Sequence, residues 1–146
     1  MARIIRMISA SVKPLLVLFG ILTMVPLLFA ADISLFPLIF SNEIEITSSS
    51  IPALRHWGLV VGGIGVLMVV AAFRPWLRYE VLIFAAAEKA FIFYLWLSAP
   101  DLPWAGGYRG PALLDFLILL WCLVCLLSGA VRSFLPAECG RTAAIE

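Results

Sequence analysis

Four windows, 15–31, 57–73, 81–97 and 113–131, are almost wholly apolar. A helix that crosses a bilayer needs about 20 predominantly apolar residues, so each window is long enough to span the hydrocarbon layer. The first two carry no charge, and polar or Pro/Gly-rich stretches separate all four. Hydrophobic residues make up 64% of the 146-residue chain and charged residues 13%, against roughly 45–50% and about 25% in soluble domains. A water-soluble globule of this length has too little interior to hide that much apolar surface. Intrinsic disorder needs the opposite composition. A net charge of +1 leaves no basic excess to hold nucleic-acid phosphates. No repeat at a fixed period stands out. The expected fold is all-α: one domain over 1–146, a four-transmembrane-helix bundle in a lipid bilayer.

The Lys and Arg distribution sets the expected orientation. Arg3, Arg6 and Lys13 precede the first window, Arg74 and Arg78 fall in the second connection, and Arg132 and Arg141 follow the fourth window. The first and third connections offer only Arg55 and Arg109, beside Asp32, Glu43, Glu45 and Asp101. Both termini are therefore expected in the cytoplasm. A basic start running into an apolar stretch resembles a signal peptide. Cleavage is not expected, because the apolar run is long and Leu28 or Phe29 stands where a small residue is needed. Without a cleavable targeting segment, a bacterial inner membrane is the expected location.

Ile4, Ile5, Ile8 and Val12 recur at helical spacing among Arg3, Arg6 and Lys13. This segment either lies along the interface and turns inward near Pro14, or simply extends the first helix. Pro26 removes a backbone donor and is expected to kink the first helix near its outer end.

Glu88 and Lys89 sit at the middle of the third window. Each costs on the order of 2.5–3.5 kcal/mol at a helix centre on insertion scales. The lysine stem is too short to carry its ammonium fully to water from that depth. Partners or a wet cavity inside the bundle are therefore expected. Asp115, entering the fourth helix from the outer side, is the leading partner for Lys89, with a difference in depth that a water would bridge. Arg55 or His56 is the corresponding partner for Glu88, unless Glu88 is protonated. Neighbouring residues point about 100° apart, so the two do not face each other squarely along the helix. The cluster is either a polar network that fixes helix register or a ligand, proton or partner site.

Gly58, Gly62 and Gly65 form a small-residue stripe on the second helix. Such a stripe lets two backbones approach, either within the bundle or against a second protein or a lipid chain. Cys122 and Cys125 form C-x-x-C inside an apolar run, where thiols behave as small hydrophobes rather than as a redox pair. With a single histidine in the chain, no metal site and no cofactor are expected. The Arg, Trp and Tyr residues of 74–80 read as an interface anchor. The stretch from Pro100 to Pro111, with Trp104, Gly106, Gly107 and Tyr108, reads as a cap on the bundle or a surface for a partner. No phosphate loop, nucleophile elbow or paired-carboxylate motif appears.

Leu54-Arg55-His56-Trp57-Gly58 opening the second helix, Gly62-Gly63 within it, Ala72-Phe73-Arg74-Pro75 closing it and Asp115 near the start of the fourth resemble the DoxX-like group of small four-helix membrane proteins. The likeness covers about half of the chain, from Leu54 to Leu126. It implies an accessory role, as a subunit of a respiratory or redox assembly or an aid to assembly of other membrane proteins. The pattern of that group places a basic residue in the third helix, where Lys89 stands; the adjacent Glu88 is a departure. The expected function is non-catalytic: an accessory, assembly or structural subunit that packs against other membrane-protein chains in a hetero-complex or homo-oligomer. The alternatives are a small lipid- or quinone-binding membrane protein, or a dimeric small-molecule transporter using Glu88.

Overall fold

The computed structural model describes residues 2–40, 46–99, 101 and 103–131. Among these the regular elements are all helices, with no strand. Glu43, Glu45, Arg132, Cys139 and Arg141 lie outside the described residues.

The first helix, α1 (Ala2–Met24), runs without a break through Pro14. The segment carrying Arg3, Arg6 and Lys13 therefore extends the helix, and the inward turn near Pro14 does not occur. At Val25-Pro26 the helix is interrupted rather than kinked, and α2 (Leu27–Ala31) continues beyond it. The Ala30 amide bonds the Pro26 carbonyl at 3.1 Å. A turn of 3-10 helix follows at Ile33–Leu35, and the Asp32 carboxylate accepts from the Ser34 amide and hydroxyl at 3.0 and 2.8 Å. Next comes α3 (Phe36–Phe40). The first connection is thus not polar throughout, because Phe36 and Phe40 bury their rings.

The second long helix, α4 (Ile51–Phe73), starts six residues before the expected window, with Pro52 in its first turn, where a missing amide costs nothing. It ends at Arg74, whose backbone is extended (φ −122°, ψ 84°) ahead of Pro75. A 3-10 turn, Pro75–Leu77, leads into α5 (Arg78–Ser98). Arg78, read from the sequence as an interface anchor, is instead buried. Its Nε donates to Ala71 O at 3.1 Å and its Nη2 to Ala72 O at 2.9 Å, satisfying carbonyls left open at the end of α4.

The short α6 (Pro103–Gly107) precedes α7 (Arg109–Leu127). The fourth helix therefore begins and ends about four residues earlier than the 113–131 window. Pro111 is tolerated in its first turn, and Gly129, with φ 71°, supplies the left-handed residue that stops it.

Four helical segments, Arg3–Ala31, Ile51–Phe73, Pro75–Ser98 and Arg109–Leu127, are long and apolar enough to cross a membrane. The chain is a multi-pass membrane protein by that criterion. The most extensive packing joins α1 to α4 and α5 to α7, with α4 against α5 linking the two pairs.

One core cluster is built around Val12, Leu16, Met68, Leu82, Ile118 and Cys122. A second, near the start of α4, is aromatic. Phe29 packs edge-on against Phe36 and Phe40, with ring centroids 5.1 and 5.7 Å apart, and stacks on Trp57 at 5.5 Å. Tyr108 lies parallel to Phe40 at 5.3 Å. The Trp96 indole N–H donates to Ala105 O at 3.0 Å, pinning α6 over the end of α5.

The glycines of α4 face α1 and α2. A Cβ on Gly65 would lie 2.7 Å from both Gly20 O and Met24 N, and one on Gly58 would lie 2.6 Å from Pro26 O. A Cβ on Gly62 would run into Leu27. The stripe is thus occupied by the chain's own helices, while Gly63 points into open space.

Candidate functional site

The third and fourth crossings bring the intramembrane charges together. Lys89 is 2% exposed, 11 residues into α5, which places it about 16 Å from the start of that helix at 1.5 Å per residue. Its Nζ stands 2.8 Å from Asp115 Oδ1 and 2.9 Å from Glu88 Oε2. Asp115 is contacted directly, with no need of a bridging water. The early start of α7 explains this: Asp115 lies six residues past Arg109, or about 9 Å down the helix axis, within reach of a lysine stem.

Glu88 differs from expectation. Neither Arg55 nor His56 pairs with it. The Arg55 guanidinium instead donates from Nε to Ala30 O at 2.7 Å and from Nη2 to Ala31 O at 3.4 Å, closing the end of α2. His56 sits on the same outer face of α4, beside a shallow depression shared with Leu27 and Leu59. Glu88 turns back toward its neighbour Lys89. The contact is electrostatic without hydrogen-bond alignment, and neither Glu88 oxygen, both buried, finds a hydrogen-bond partner among the described residues.

Tyr108, at the junction of α6 and α7, extends the network by donating its hydroxyl to Asp115 Oδ2 at 3.4 Å. The stretch around it caps this end of the bundle, and Tyr108 belongs at once to the aromatic cluster and to the ionic one.

Beside these groups lies a cavity of about 200 Å³. Its walls include Val61, Trp57, Phe40 and Leu114, and its polar edge is formed by Lys89, Asp115, Tyr108 and Thr23. Thr23 is 4% exposed, and its hydroxyl has no partner among the described residues. An unpaired buried hydroxyl is costly, so its position on a cavity edge is informative. A second cavity, of about 260 Å³, lies across Phe40, Trp57 and Tyr108 and is lined almost wholly by apolar side chains. These three rings form a wall common to both.

No family model, curated protein or solved structure matches this chain. The reading of the site therefore rests on its geometry.

Thr23 and Tyr108 are the site residues that sequence reasoning passed over or placed only in a loop. Thr23 had one available signal: it is a hydroxyl in the otherwise apolar run ahead of Pro26. Cys122 and Cys125 are buried, free thiols facing the main core. Among the described residues no group of three or more His, Cys, Asp or Glu is placed to hold a metal ion.

Proposed function

We propose that this protein is a non-catalytic accessory membrane protein that binds a small amphiphile in the cavity between α1, α4, α5 and α7. The observation that carries the reading is the cavity itself: apolar walls around an edge that holds Lys89, Asp115 and the unpartnered Thr23 hydroxyl. Ligand sites are typically apolar with a few placed polar groups, and are often found between helices of a bundle. A register-fixing network alone has no use for a void and an unpaired hydroxyl beside it.

An enzymatic role for Lys89 fits poorly, because an ammonium paired with two carboxylates has no free electron pair with which to act as nucleophile or base. A transporter centred on Glu88 fits less well than a binding protein, since Lys89 already occupies that carboxylate. Docking of an accessory subunit through the glycine stripe is not supported, because α1 and α2 cover Gly58, Gly62 and Gly65. The accessory role implied by the DoxX-like resemblance remains compatible with a bound amphiphile. The excess of Lys and Arg at Arg3, Arg6, Lys13, Arg74 and Arg78 supports an orientation with both termini in the cytoplasm and the cavity toward the opposite face.

The test is mass spectrometry of the protein extracted from its own membrane into lipid nanodiscs. The expected result is a small molecule retained at one per chain, lost when Val61→Trp fills the cavity and kept in Gly63→Ala, which changes open space. A wild-type chain that retains nothing, and a Val61→Trp chain indistinguishable from it, would overturn the reading.

A further inference from the structure

The ion cluster at the polar edge of the cavity, of which Lys89 and Asp115 line the cavity and Glu88 does not, has a sign. Two carboxylates, Glu88 and Asp115, share one ammonium, Lys89, so with every group ionised the cluster sums to −1. No other ion pair involves these residues among the described residues. The lysine ammonium lies 2.8 Å from an Asp115 oxygen and 2.9 Å from a Glu88 oxygen, and the Tyr108 hydroxyl is directed at Asp115. Four carboxylate oxygens face these donors, and among the described residues neither oxygen of Glu88 nor Thr23 Oγ1 has a hydrogen-bond partner. Acceptors and negative charge are in surplus, in a place where the surroundings are apolar and an unbalanced charge is expensive.

We propose that the cavity takes an amphiphile with a protonated amine head, whose charge balances the cluster and whose N–H groups meet Asp115 and the Thr23 hydroxyl. This inference rests on the reading of the cavity as a ligand site and adds the class of ligand. An anionic head would take the net charge to −2 for a fatty carboxylate and further for a phosphate. An oxidised quinone brings only acceptors to a site already rich in them. The lysine does not repel the amine, because both carboxylates screen it at 2.8 and 2.9 Å. The apolar tail lies against Val61, Leu114 and Trp57. A cavity of about 200 Å³ holds the head and the first carbons of a chain, and its open side lets the rest pass out.

The experiment uses the full chain in nanodiscs of uncharged lipid and three probes of equal length: octylamine, octanol and octanoate. Binding is read by native mass spectrometry, with Val61→Trp subtracting probe dissolved in the lipid. The wild-type chain is expected to hold octylamine about tenfold or more tighter than octanol, the ratio for one charge-assisted hydrogen bond in place of a neutral one. Octanoate should bind weakest. Thr23→Val should weaken octylamine severalfold without changing the order, and Asp115→Asn should bring octylamine and octanol level. The ranking on the wild-type chain decides the matter even if a variant fails to fold. Octanol binding as tightly as octylamine would mean that a proton already balances the cluster, and tighter octanoate would reverse the sign. Either result would overturn the amine assignment and leave the ligand site standing. Binding of none of the three, with the wild-type chain folded, would remove the ligand site itself.

Discussion

Replacing Lys89 by Met removes the only cation of the buried cluster and keeps a side chain of similar length. Lys89 is 2% exposed and lies 2.8 Å from Asp115 and 2.9 Å from Glu88. Its loss leaves two carboxylates whose one remaining hydrogen bond among the described residues comes from the Tyr108 hydroxyl, 3.4 Å from Asp115 Oδ2. Removing one partner of a buried ion pair costs about 3–5 kcal/mol, mostly because a charge is left uncompensated. That range corresponds to roughly a hundredfold to a few thousandfold in the folding equilibrium. Glu88→Gln should cost far less, below about 1 kcal/mol. Its partner is the next residue of the same helix, so the contact survives when α5 separates from α7. Asp115→Asn should fall near the lysine value, because that bond crosses between helices. The triple variant Glu88→Gln/Lys89→Met/Asp115→Asn, with no charge to bury, should regain most of the loss. The assay is reversible unfolding in mixed detergent–SDS micelles, followed by tryptophan fluorescence. A Lys89→Met chain within about 1 kcal/mol of wild type would refute this account, as would a triple variant no more stable than Lys89→Met.

Gly65→Ala places a methyl 2.7 Å from Gly20 O and Met24 N and should cost about 1–3 kcal/mol, as overpacking does; Gly63→Ala, which meets nothing within 4 Å, should be close to neutral in the same unfolding assay. Arg78→Ala strips the donors from Ala71 O and Ala72 O and should destabilise by about 1–3 kcal/mol, with the earliest amide exchange at the α4–α5 turn. Cys122 and Cys125 are both fully buried; maleimide should label them only as fast as the bundle opens, and rapid labelling in the native state would contradict the packing of α7.

Much of this architecture was legible because lipid imposes a simple rule. A crossing helix must present apolar groups outward over its whole length, so the four crossings stand out in composition alone. Their ends were less legible. Pro52 and Pro111 look like helix breakers in the sequence but sit in first turns, where proline is accepted, and α4 and α7 accordingly begin earlier than their apolar windows. That shift brought Asp115 to the depth of Lys89. The partner of Glu88 was not legible, since helical spacing fixes where a Cα–Cβ bond points but not how a long side chain folds back toward its neighbour. The aromatic cluster was invisible for another reason. Phe29, the pair Phe36 and Phe40, Trp57 and Tyr108 come from four separate places in the chain, and no single periodicity links those places. Arg78 reads as a surface anchor by type, yet its guanidinium is spent on the open carbonyls of α4.

The adjacency of Glu88 and Lys89 also bears on how the protein is made. In the order of the chain α5 precedes α7, so Lys89 enters the membrane ahead of the helix that carries Asp115. A lone lysine at mid-membrane would hold the nascent helix back at the translocation channel or send it to the wrong side. With a carboxylate next to it, the helix can leave as a zwitterion whose opposite charges travel together and need no other segment. Asp115 arrives later, as the neighbour that draws α7 against a helix already in place. The short-range pair is complete within one helix, whereas the long-range pair forms only when a second helix packs against it.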